Sequence, residues 1–181
     1  MRNRLYEYWV YGGALASVIL LLLAPLLGWP LSEVLIYLSL PAYMVHQYEE
    51  HDNDRFRLYF NSLLGASSRG LSHRAVFAIN FAGVWLVILA SLWLARFVSP
   101  GWGAIAAYLL LFNGFVHIAQ FIILRRPNPG LLTAVFPFLP LGAAVLFATS
   151  PSLTEHIVSF VLIVVLHAAI VVHVRRPQAA S

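Results

Sequence analysis

The sequence predicts an all-α protein: a polytopic membrane bundle of six transmembrane helices with both termini on the cytoplasmic side. Three observations predict it. The 181 residues are 61% hydrophobic and only 10% charged, with a mean hydropathy of +0.82; a soluble domain carries about 25% charged residues. The apolar residues fall into six runs, each close to the roughly 20 residues that cross a bilayer. The basic residues are one-sided. With the N-terminus inside, ten of the eleven lie in cytoplasmic segments and only Arg96 lies opposite, as the positive-inside rule requires. The whole chain, 1–181, reads as one integral membrane domain.

The first helix is expected at about 8–28. Arg2 and Arg4 ahead of an apolar run resemble a signal peptide, but the run exceeds an h-region of about 7–15 residues, so an uncleaved helix is expected. Pro30 ends it. The second helix is expected at 32–53. Pro41 inside it removes the usual donor to the Tyr37 carbonyl and predicts a kink. A polar loop over 54–72 follows, with Arg55, Arg57, Arg69 and the pair Ser67-Ser68. Its Leu58, Phe60, Leu63 and Leu64 suit the membrane surface. Asp52 and Asp54 are placed to pair with Arg55 and Arg57.

The third helix, 74–98, stops at Ser99-Pro100-Gly101. The fourth, 103–124, is followed by a stiff turn, Arg125-Arg126-Pro127-Asn128-Pro129-Gly130. The fifth, 131–148, should bend in its first half at Pro137 and Pro140. Ser150-Pro151 turns the chain into the sixth, 154–174, which ends at Arg175-Arg176-Pro177 before a tail expected to be disordered. No repeat is visible.

Composition also excludes chemistry. The chain has no lysine, so no Schiff-base lysine, and no cysteine, so no disulfide, thiolate ligand or cysteine nucleophile. A pI near 9.8 would suggest nucleic acid in a soluble protein. In this one it points to arginine-rich loops against anionic lipid. The partners expected are membrane lipids and a lipid-like small molecule, with no nucleic acid.

Against this apolar background stands His46-Gln47-Tyr48-Glu49-Glu50-His51. Each helical residue advances about 100°, which puts Glu50 roughly 40° from His46 and Glu49 roughly 60° to its other side. One imidazole and two carboxylates on one face make a metal-ligand set or a set for moving protons. His51, roughly 140° away, points elsewhere. Ionisable groups in a membrane segment usually mark function. The plain alternative is a polar helix end among lipid headgroups.

Depth adds partners. His46 lies nine residues before Arg55, His117 eight before Arg125, His167 eight before Arg175, and Asn80 six after Arg74. At 1.5 Å per residue, all four sit about 9–13 Å below the arginine layer, with Pro137 at a similar level. Asn113, His117 and Gln120 recur at i, i+4 and i+7, a polar stripe on an apolar helix. Asn80, Asn113, Gln120 and His167 are therefore candidate pocket residues. The ordinary alternatives are interhelical hydrogen bonds for the amides and a carbonyl partner for His167. His156 falls near the outer end, and His73 and His173 at the headgroups.

His46-x-x-Glu49-Glu50, with Asn113-x-x-x-His117 and Pro129-Gly130 after it, resembles the bacterial HxxEE family of integral membrane proteins. The resemblance implies a multi-pass protein of the bacterial inner membrane. It supplies candidate residues rather than a reaction. The motif is also similar to the His-x-x-Glu-His of inverted zinc peptidases, which supplies two ligands and a general base. That similarity implies His46 and Glu50 as ligands, Glu49 as base and His117 as third ligand, the His₂Glu set of catalytic zinc. Iron and manganese are the other divalent metals to consider. The expected function is a membrane-embedded metal-dependent enzyme, most simply a hydrolase of a lipid-like or amphipathic substrate, with its pocket toward the cytoplasm. Similarity to membrane sterol isomerases gives the first alternative, proton shuttling by His46 and Glu50 without metal. A small transporter or ion-binding protein is the second.

Overall fold

Each apolar run forms a helix, and the breaks fall at residues that cannot continue one. In the computed structural model, which describes residues 4–65 and 68–177, α1 covers Arg4–Leu26, α2 Leu31–His51 and α3 Arg55–Ser62. Then follow α4 His73–Phe97, α5 Pro100–Leu124, α6 Leu131–Thr149 and α7 Leu153–Arg175. Among the described residues there is no strand. The expectations for Arg2, Ser67 and the tail beyond Pro177 lie outside the described residues.

α1, α4, α5, α6 and α7 are long and apolar enough to cross a membrane. α2 has the length, 21 residues, but its last two turns are polar. The spans begin and end within a few residues of expectation, the largest difference being the earlier start of α1. Large apolar side chains face outward from these helices, Phe147 with 86% of its surface exposed. Exposed apolar area on that scale suits lipid and not water.

α2 runs through the middle. Its buried Ile36, Leu40, Tyr43 and Met44 meet Ile88 of α4, Leu109 and Leu110 of α5, and Phe138 and Val145 of α6. α1 lies along α2, and α7 packs on α5. Lipid tails are as apolar as leucine, so helices in a membrane depend on close packing, which small residues allow. Thus Ala104, Ala106 and Ala107 of α5 are fully buried, and a Cβ at Gly142 would meet Leu111 Cγ at 2.7 Å.

Four local features bear on the expected picture. α2 is helical straight through Pro41, so the proline does not end it. The first half of α6 is irregular as its prolines require: Ala134–Phe138 is a π-turn. A second π-turn, Phe81–Trp85 in α4, had no proline to announce it. Such wide turns often accompany functional sites. The segment read as a polar surface loop contains α3. Its Phe56, Phe60 and Leu64 pack inward against Trp9, Leu71, Val76 and Val174, while Leu58 stays exposed. Phe56 and Phe60, four residues apart, make one helical face. Asn61 then ties α3 to the following chain, accepting from Leu71 N at 2.8 Å and donating to Leu71 O at 2.9 Å. Arg57 pairs with Asp54, and Arg55 lies 3.6 Å from Asp52.

Candidate metal centre

The polar end of α2 is buried, because α5 and the turn before α6 close over it. His46, Glu50 and His117 expose only 1%, 6% and 3% of their surfaces. The imidazole centroids of His46 and His117 are 5.0 Å apart. Glu50 lies between them, one oxygen 3.7 Å from His46 Nε2 and the other 3.5 Å from His117 Nε2. One ligand atom from each residue lies within 4.8 Å of the other two. Two ligands on one tetrahedral zinc, with bonds of about 2.1 Å, stand about 3.4 Å apart. The spacing fits a divalent metal and is long for a hydrogen bond.

The outer nitrogens decide what the inner ones offer. Asn128 donates through Nδ2 to the His117 carbonyl at 2.9 Å, which turns its oxygen toward His117 Nδ1 at 2.6 Å. Nδ1 of His117 must therefore carry the proton. His46 Nδ1 is 2.8 Å from Thr133 Oγ1. The single hydroxyl proton of Thr133 goes to the Glu49 carboxylate, 2.5 Å away, which can only accept. Nδ1 of His46 must then donate to Thr133. In their neutral forms, both imidazoles then turn an Nε2 lone pair toward Glu50. His46 Nε2 is fully buried with no hydrogen-bond partner. Apart from His51, whose Nε2 lies 3.1 Å from one Glu50 oxygen, the neutral cluster brings three acceptors together, an arrangement that a cation satisfies.

Gly130 makes room for this. Its φ is +89°, and a Cβ there would fall 2.7 Å from His46 Cε1 and 3.0 Å from His117 Cε1. Only glycine accepts both that backbone and that closeness.

Glu49, expected as a base at the metal, has other neighbours. Its oxygens accept from Leu132 N at 3.1 Å, Thr133 N at 2.8 Å and the Thr133 hydroxyl. These are first-turn groups of α6, whose unpaired amides and positive dipole end favour a carboxylate. That offsets the unfavourable end of α2. Both oxygens are engaged, and Glu49 reaches the cluster only through Thr133 and His46.

The remaining candidates divide. Asn80 is buried but sits on a different chain of bonds: Trp85 Nε1 donates to Gln47 Oε1 at 2.7 Å, and Gln47 Nε2 donates to Asn80 Oδ1 at 2.8 Å. Asn80 Nδ2 then stands 3.2 Å from His51 Nε2. His51, expected to point away, is buried and 3.1 Å from Glu50. Its ring packs against Trp9 and Phe56, on the side of Glu50 away from His46 and His117. His167 Nδ1 donates to the Ile163 carbonyl at 2.9 Å, as the ordinary reading had it. His156 bonds Tyr108 OH at 2.8 Å. A cavity of about 590 Å³ opens beside the cluster, bordered by Glu50, His51, Asn80, Asn113, His117, Gln120 and His167 and otherwise by apolar side chains. The side-chain oxygens of Asn113 and Gln120 are buried without a partner.

Residues 37–145 match the model of a family described as "Protein of unknown function with HXXEE motif". The chain belongs to the HXXEE family. The match runs from within α2 to within α6. It therefore holds the motif residues His46, Glu49 and Glu50, and also His117, Asn128, Gly130 and Thr133, which complete the cluster. No curated protein and no solved structure matches the chain. The HXXEE motif divides its labour in this fold: its histidine and second glutamate face the cluster, and its first glutamate holds the start of α6.

Proposed function

We propose that the protein is a membrane-embedded, metal-dependent hydrolase of an amphipathic, lipid-like substrate. His46 Nε2, a Glu50 oxygen and His117 Nε2 hold one divalent metal, zinc being the first candidate for a His₂Glu set. The observation that carries the reading is the convergence of three acceptors, with both histidine N–H groups already committed elsewhere. A divalent metal there supplies a Lewis acid and a water acidic enough to attack near neutral pH. The protein's own groups do the rest. Thr133 and Asn128 fix the tautomer and aim of the two imidazoles, as outer-shell partners of metal-binding histidines do. Glu49 is a positioning residue in this reading, holding Thr133 and hence His46. The apolar cavity excludes water from all but the cluster. The centre faces the cytoplasmic side and both termini are cytoplasmic, a reading supported by the arginine distribution, in what we take to be a bacterial inner membrane.

The test is metal content of the purified protein. One equivalent of divalent metal is expected, lost in His46→Ala and His117→Ala. Release of a fatty acid or alcohol from lipid esters or amides should vanish with it. If the protein binds no metal at micromolar free zinc, iron or manganese, the reading fails. The 3.1 Å contact of His51 with Glu50 then favours the second reading, a metal-free His/Glu isomerase.

A further inference from the structure

We infer that the cavity beside the centre binds a neutral, single-chain lipid whose head carries hydroxyl or amide groups, and does not bind a phosphorylated one. The inference deepens the hydrolase reading and rests on it only for the bond that reacts.

Size comes first. A cavity of about 590 Å³, at roughly 30 Å³ per heavy atom, the liquid share of one water, takes about twenty non-hydrogen atoms. One chain with a small head fits inside, whereas a two-chain phospholipid does not. The walls toward α4 and α7 are apolar, with Val84, Val164 and Leu166 among them, and suit a hydrocarbon chain.

Charge comes next. Among the described residues no arginine borders the cavity, and the chain has no lysine. The charged or chargeable groups at its edge are Glu50, His51, His117 and His167. Nothing in that set replaces the arginine clamp that a phosphate head calls for. In the metal-free protein Glu50 would also repel it.

The unused polar groups then specify the head. Asn113 and Gln120 flank His117 on one face of α5, about 6 Å and about 4.5 Å along the axis on either side. Each has a buried side-chain oxygen with no partner. An unmet buried amide costs about 1–3 kcal/mol; both side chains border the cavity, and turning either amide over brings its oxygen to the cavity, where a donor on the ligand satisfies it. A primary amide offers both donors and an acceptor. It matches a hydroxyl or another amide, which also do both. A phosphate or carboxylate only accepts and would leave the oxygens unmet. The pair therefore brackets the centre with two sites for neutral polar groups.

The experiment uses full-length protein in detergent, stripped of metal with a chelator, so that the metal reading and this one fail separately. Thermal stabilisation and native mass spectrometry measure binding of 1-lauroylglycerol, N-lauroylethanolamine, laurate and dodecyl phosphate. The two neutral lipids should bind about tenfold or more tightly than the two anions. Asn113→Leu and Gln120→Leu, near-isosteric changes on a membrane helix, should each remove that preference without changing zinc content after metal is restored. Equal or tighter binding of dodecyl phosphate overturns the inference, and so does an unchanged preference in the double variant. If a variant fails to fold, Val164→Trp, which fills the chain-binding wall, should abolish binding of all four lipids; continued binding of the neutral pair would count against the cavity.

Discussion

Gly130→Ala separates the geometry of the centre from the stability of the bundle. The new methyl would sit 2.7 Å from His46 Cε1, 3.0 Å from His117 Cε1 and 3.4 Å from Glu50 Cβ. The first two cannot be relieved by a flexible side-chain end, since both rings are held at Nδ1 by Thr133 and Asn128. The rings must move apart, and the cluster with them. The left-handed backbone adds about 1–2 kcal/mol for any residue with a Cβ. Gly28→Ala supplies the control: φ is +60° there too, and nothing lies within 4 Å of the added carbon. Subtracting its effect leaves the contact at the centre. Disturbed outer-shell geometry typically weakens metal sites about 10–100-fold, and that loss is expected for Gly130→Ala alone. Zinc affinity by chelator competition and melting temperature in detergent measure the two effects. If Gly130→Ala binds zinc as tightly as the parent while its melting temperature matches that of Gly28→Ala, the three residues are not a metal centre.

Thr133→Val should weaken zinc binding about tenfold while Thr133→Ser restores it, because only the hydroxyl links Glu49 to His46; equal affinities for the two would break the proposed chain. Glu49→Gln should keep metal but loosen the start of α6, seen as faster hydrogen exchange over residues 131–134; unchanged exchange would return Glu49 to a role at the metal. Reporter fusions at Pro30, Ser99 and Ser150 should lie outside, and a cytoplasmic signal at any of them would overturn the topology. Arg55→Ala, whose pair is exposed, should change stability by no more than about 1 kcal/mol, and Arg57→Ala, whose pair is partly buried, by little more, read as a nearly unchanged melting temperature; unfolding would make that corner structural.

What could be read from the sequence followed from local rules. Apolar length and helix breakers such as Pro30 and Ser99-Pro100 placed the long helices to within a few residues. His46 and Glu50 share a face because they are one turn apart, and His117 joined them through a depth count from the arginines. What escaped depended on distant chain. Glu49 looked free because the amides that hold it come from 83 and 84 residues later. Thr133 and Asn128 have no spacing that marks them as supports for histidines. α3 was hidden by its charges; its two inward phenylalanines acquire a partner only when α1, α4 and α7 assemble. His51 does point away from His46, against Trp9 and Phe56; its contact with Glu50 had no spacing to announce it.

The capture of the α6 start by Glu49 also bears on how the chain is made. Helices enter a membrane in order, and α2 is in place long before residue 133 leaves the ribosome. Until then Glu49 faces no amides and His46 has no Thr133 to fix its ring. A nascent chain halted before α6 would hold all of the motif and none of its geometry. Metal capture would therefore report that α6, the fifth of the six expected spans, has docked correctly, and would lock the bundle at the step when its most polar helix is last exposed to error.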